Sequence, residues 1–236
     1  MDNYEKDNIK LKSYLLYDEI VEFKKEFSKL KAKDYEFVLF PSVQYLSLFK
    51  DVSYGVGTQN FYSYNVGSFT GEINIESLKD MGINYTMIGH FERRRIMNES
   101  YEIMKEKLYK SLNSKCNTIL CVGEDSKFKN EKSFVKKELN YYLRSMDSNS
   151  LKYLSICYLP SNALDEANKS MVKISRMIIF IKKYFKDKYK IDIPVYYGGN
   201  IENSNIKDIY EIVDGIMLDT QSNDIKIVKE LLKELK

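Results

Sequence analysis

Residues 84–95 read NYTMIGHFERRR. An apolar, β-prone run (Tyr85 to Gly89) stops at a glycine, and a histidine and a run of charge follow at once. Strand propensity gives way to solvated, helix-compatible residues across a single glycine, which is how a strand turns into a helix. His90 is the only histidine in the chain, and it falls at that turn.

The same unit recurs on either side. EFVLFP (36–41), TILCVG (118–123), LSICYL (154–159), IPVYYGG (193–199) and DGIML (214–218) are short and nearly continuous in apolar residues, and VGTQN (56–60) is a weaker relative. Runs of that kind suit strands buried on both faces, as in a parallel sheet covered by helices. Between them the apolar period lengthens to three and four. Met171, Ile174, Ile178, Ile181 and Phe185 form one stripe within 169–189; Val135, Leu139, Tyr142 and Met146 form another; Ile225, Val228, Leu232 and Leu235 form a third. Such stripes are the faces helices lay on a sheet. Ser222-Asn223 are expected to cap the last helix. Seven strand–helix units are clear, with room for an eighth at the N-terminus. With no Pro/Gly-rich linker, the count predicts one α/β domain over 1–236, a closed (β/α)8 barrel rather than a doubly wound sheet.

Composition narrows the partners. A net charge of +3 with lysines scattered among acids argues against nucleic acid or an anionic membrane. No apolar run reaches the roughly 18 residues of a spanning helix, and the polar start MDNYEKDNIK does not read as a signal peptide, so a cytoplasmic protein is expected. Three cysteines (Cys116, Cys121, Cys157) without a Cys-x-x-Cys read as reduced, buried thiols. One histidine and no cysteine pair argue against a transition-metal site.

Five further segments are more specific: VGTQNFY (56–62), GSFTGEINIESLKDMGINYTMIGHFERR (67–94), CVGE (121–124), YGGN (197–200) and VDGIML (213–218). Together, and in this order, they resemble triosephosphate isomerase over nearly the whole chain. The resemblance implies a homodimer of (β/α)8 barrels with the site at the C-terminal ends of the strands. It also implies a cofactor-free proton transfer beside the carbonyl of a three-carbon ketose phosphate. Such chemistry needs a base, a group to polarise the oxygen, a cation and a grip on the phosphate. By resemblance His90 holds the electrophile's position; read without it, a lone histidine satisfies a strand end. NIKLK (8–12) resembles the family's Asn-x-Lys, which makes Lys10 the active-site cation with Asn8 beside it, although NYEKD (3–7) is too polar for the expected first strand and a solvated lysine is the alternative. Glu92 resembles the acid that holds this lysine, and Asn200 replaces a serine as a substrate-binding donor.

Four departures converge on that same site. Where the family ends its sixth strand with a catalytic glutamate, this chain has Leu159, which has no lone pair to take a proton. Asp165 and Glu166 are the next acids along, on an expected helix. The lid segment SNALDEANKS (161–170) lacks glycine, and lid closure both excludes water and completes such a site. After the eighth strand, Asp219 and Thr220 replace two phosphate-binding glycines, and a carboxylate there repels a dianion. Phe91 brings a ring where the family has a small hydroxyl residue. The expectation is a family fold and dimer that has lost most or all isomerase activity and binds or scaffolds instead. The alternative is an active isomerase using His90 and Lys10 with a substituted base.

Overall fold

The computed structural model describes residues 8–30, 35–123, 130–160 and 170–235. Eight parallel strands close on themselves in sequence order, and the barrel is sealed by the pairing of the first strand with the last. The strands are β1 (Asn8–Lys12), β2 (Glu36–Phe40), β3 (Gly55–Thr58), β4 (Tyr85–Ile88), β5 (Asn117–Val122), β6 (Leu154–Tyr158), β7 (Val195–Tyr197) and β8 (Gly215–Leu218). Helices α1 (Tyr17–Phe27), α2 (Ile75–Asp80), α3 (Phe91–Arg95), α4 (Tyr101–Asn113), α5 (Glu131–Tyr142), α6 (Met171–Tyr189), α7 (Ile206–Ile212) and α8 (Ile225–Glu234) fill the crossovers, with 3-10 turns at Val43–Phe49, Ser150–Tyr153 and Thr220–Asn223. The (β/α)8 expectation therefore holds, and each strand expected from β2 to β8 lies within two residues of its predicted place.

Side chains alternate in and out along each strand, and they sort into two apolar bodies. Val38, Phe40, Met87, Ile119, Cys121, Cys157, Leu159, Tyr196 and Met217 fill the barrel interior. The larger body joins the outward residues, such as Ile9, Leu11, Leu39, Ile88 and Leu120, to the helix stripes foreseen in α5, α6 and α8. All three cysteines are free and buried.

Two details correct the sequence expectation. The first described strand is Asn8–Lys12, while the polar stretch NYEKD lies outside the described residues. Ile9 and Leu11 supply its outward apolar face while Asn8, Lys10 and Lys12 turn inward, so a strand with polar residues in alternate positions does not read as apolar. The second concerns α8, which is capped by Asp224, whose side chain accepts from the Lys226 amide at 2.8 Å; Ser222 and Asn223 belong to the preceding 3-10 turn.

Barrel closure leaves no room for a side chain at Gly215. A Cβ added to Gly215 would lie 2.2 Å from the Asn8 carbonyl oxygen and 2.6 Å from the Asn8 Cβ, on the β8–β1 seam. Overpacking of this kind costs about 1–3 kcal/mol. Gly215→Ala is expected to lower the denaturant midpoint accordingly, as followed by circular dichroism; an unchanged midpoint would mean that the seam yields freely.

Candidate active site

The C-terminal end of β4 is built by Gly89 and His90. Gly89 has φ +77°, a left-handed conformation, and a Cβ there would meet the Cys121 carbonyl oxygen at 2.9 Å. His90 then caps α3 and turns its ring into the mouth of the barrel, 2% exposed and 4.9 Å from the Phe91 ring.

The charged residues after it are each committed. Glu92 Oε2 accepts from Lys12 Nζ at 2.8 Å. Arg93 reaches Glu99, itself bonded to the buried Lys107, which also donates to Asn60 at 2.7 Å. Arg94 donates to the Gly123 carbonyl at 3.1 Å and pairs with buried Glu138 at 2.9 Å. The run FERRR thus braces the β4 end against the neighbouring units.

Lys12, not Lys10, is the lysine of this site. Its ammonium is 2.8 Å from Glu92 Oε2 and 2.8 Å from Asp219 Oδ1, with the side chain 6% exposed. Lys10 runs the other way, to the N-terminal mouth, where it donates to Asn8 Oδ1 at 2.9 Å. The two lysines leave one face of one short strand and part company inside the barrel. Lys10 and Asn8 are therefore not brought to His90. Asn200 lies at the C-terminal end of β7, where its amide donates to Glu202 at 2.7 Å.

Asp219 follows β8 and is held by its own turn. Ser222 Oγ donates to the carbonyls of Lys12 and Asp219, and Asn223 Oδ1 accepts from the Tyr14 amide at 2.9 Å and from Ser13 Oγ at 3.1 Å. These bonds tie the turn to the end of β1 and set the Asp219 carboxylate over Lys12. Its Oδ2 is 3.4 Å from His90 Nε2, and Glu92 Oε2 is 3.4 Å from His90 Nδ1. The imidazole is thus gripped by a carboxylate at each nitrogen, as ion-pair contacts rather than well-formed hydrogen bonds.

Burial works against a charge on His90, but the carboxylates of Asp219 and Glu92 outweigh it and raise its pKa. His90, with Lys12, holds Glu92 down to about 2. Asp219 is also lowered: burial pushes it up, and His90 and Lys12 more than reverse that. A carboxylate so stabilised is a poor proton acceptor. Among the described residues, His90, Glu92 and Asp219 are the group whose ligand atoms lie within 4.8 Å of one another, the spacing a metal would need. The Lys12 ammonium already bridges the two carboxylates, and its fixed charge opposes a divalent ion.

Leu159 is 3% exposed and packs into the interior cluster, with Phe91 against the same cluster. Asp165, Glu166, Glu124 and residues 161–169 of the lid segment lie outside the described residues. Lys12 was the residue that motif spacing missed. Period-two alternation was the signal available, since it puts Lys10 and Lys12 on one inward face.

The family model for triosephosphate isomerase matches residues 8–235. The triosephosphate isomerase of Campylobacter concisus is 35% identical over 172 residues, 72% of each chain. That of Mycoplasma genitalium is 32% identical over 174 residues, 71% of this chain and 70% of its own. That of Helicobacter acinonychis is 33% identical over 185 residues, 76% of each.

The linked charges give a pH signature. The raised His90 pKa contributes stability fully below the unfolded value near 6.5, and loses it as pH rises through the folded value. The lowered Asp219 pKa contributes above its ordinary value near 3.8, and loses it as pH falls through the folded value. Asp219→Asn is therefore expected to lower the melting temperature most between about pH 5 and 6, and less at pH 9. A deficit independent of pH would deny the carboxylate–imidazole contact.

Proposed function

The chain belongs to the triosephosphate isomerase family, and we propose that its barrel has kept the fold while losing most or all of the isomerase activity, acting instead as a dimeric binding or structural protein. The observation that carries this reading is the Asp219 carboxylate, 2.8 Å from Lys12 Nζ and 3.4 Å from His90 Nε2. Lys12 and His90 are the groups that would meet the oxygens of an anionic substrate. Here an internal anion meets them first. A substrate oxyanion must displace a tethered carboxylate held by the post-β8 turn, and a phosphate dianion approaching this end meets that negative charge as well.

Leu159 supports the same reading from the other side of the pocket. At the position that resembles the family's base it offers only hydrocarbon, buried in the interior cluster. General-base catalysis contributes about 10²–10⁴ in rate.

Association is supported by the loops at the C-terminal ends of β1, β3 and β4. Tyr14, Leu16 and Tyr17 after β1, Tyr64, Val66 and Phe69 after β3, and Ile96 and Met97 after β4 are all exposed, Val66 and Leu16 to about 70%. Tyr62, Tyr64 and Phe69 also pack their rings on one another, tilted or edge-on, with centroids 5.0–5.1 Å apart, so the β3 loop presents a pre-ordered aromatic knob. Large apolar side chains exposed together mark a surface that is covered in use.

In a coupled assay with dihydroxyacetone phosphate, the unmodified protein is expected to show no turnover above a no-protein control; ordinary turnover would refute the loss of activity. Leu159→Glu alone should recover little rate, and Leu159→Glu with Asp219→Gly should recover more, because only the double variant frees Lys12 and His90. Sedimentation equilibrium should give a dimer for the unmodified chain and a monomer for Phe69→Asp; a monomer for both would remove the dimer from the proposal.

A further inference from the structure

The N-terminal mouth of the barrel, opposite the site described above, holds a cavity of about 170 Å³. Its deepest charged group is Lys10, 2% exposed. The amine is flanked by the rings of Tyr85 and Tyr196, with centroids 5.5 and 5.4 Å away. Asn8 Oδ1 accepts from it at 2.9 Å, and Glu36 comes no nearer than 3.9 Å. The Glu36 carboxylate also accepts the Tyr85 hydroxyl at 2.8 Å. Lys152, exposed in the turn before β6, lines the same cavity.

The ion pair of Lys10 with Glu36 is long, at 3.9 Å, and leaves the amine beside a void. Here the amine borders a cavity sized for a molecule of a few heavy atoms, with one neutral hydrogen-bond acceptor and a second cation at the rim. We propose that this mouth is a separate ligand site, at which the Lys10 amine takes a short aldehydo- or keto-acid as a reversible imine while Lys152 holds the acid's carboxylate.

The step balances without a co-reactant. Neutral Lys10 Nζ adds to the carbonyl carbon, forming the N–C bond. The carbonyl oxygen then leaves as water, carrying both amine hydrogens, and the C=N bond remains. Hydrolysis reverses the sequence. The amine must first be unprotonated, and burial serves that need by pulling its pKa down to about 8 against the opposing pull of Glu36. The other titratable groups facing it are Tyr85 from β4 and Tyr196 from β7, both pushed upward by burial and so held in the neutral form.

The test uses the unmodified protein with glyoxylate and cyanoborohydride, which reduces an imine to a stable amine, followed by peptide mapping by mass. Labelling at Lys10 is expected to saturate with glyoxylate and, at pH 8, to run at least about tenfold faster than at exposed Lys183. Lys152→Ala should raise the half-saturating concentration several-fold and leave the limiting rate unchanged. Because Lys152 is exposed, this variant tests the site without disturbing the interior. Labelling of Lys10 no faster than of Lys183, a rate linear in glyoxylate, or indifference to Lys152→Ala would each overturn the proposal. The isomerase assay is blind to all three, so the two readings fail independently.

Discussion

One ammonium shared by two carboxylates organises the C-terminal mouth of this barrel. Lys12 comes from β1, Glu92 from the first turn of α3 and Asp219 from the end of β8, so the contact links parts of the chain more than 200 residues apart. The closed hydrogen-bonded ring of strands brings them together, and the turn bonds of Ser222 and Asn223 fix the last of the three. His90 inherits its electrostatics from the same pair of carboxylates. An imidazole this buried would ordinarily prefer neutrality, and flanking anions reverse the preference.

The fold itself rests on other interactions. The strands, the helix stripes and the brace formed by Arg93 and Arg94 depend on packing and buried pairing, and Leu159 packs within the same interior. Leu159 adds apolar volume to a cluster that is already apolar. Asp219 gains Lys12 and His90 as partners that offset its burial. Both residues fit the packing and charge balance of the barrel.

The barrel was legible because its strands are buried on both faces, which leaves continuous apolar runs such as TILCV. β1 was the exception. With lysines at its inward positions it shows only two apolar residues, Ile9 and Leu11, and motif spacing then favoured the lysine nearer Asn8. Sequence could flag Asp219 as hostile to phosphate. It could not show that Asp219 binds Lys12, because that depends on the β1–β8 register, in which Lys10 faces Met217 and Leu11 faces Leu218. The divergence of Lys10 and Lys12 to opposite mouths was out of reach for the same reason, since alternation gives the face but not the direction a long side chain takes along it.

The single histidine makes the central interaction directly measurable. A nitrogen NMR titration of the His90 imidazole in the unmodified protein reports its protonation without assignment ambiguity. If Asp219 and Glu92 govern the mouth, half-protonation falls above the ordinary value near 6.5. A midpoint at or below that value would mean that burial, not the flanking carboxylates, sets the state of His90, and would contradict the account of a site already occupied from within.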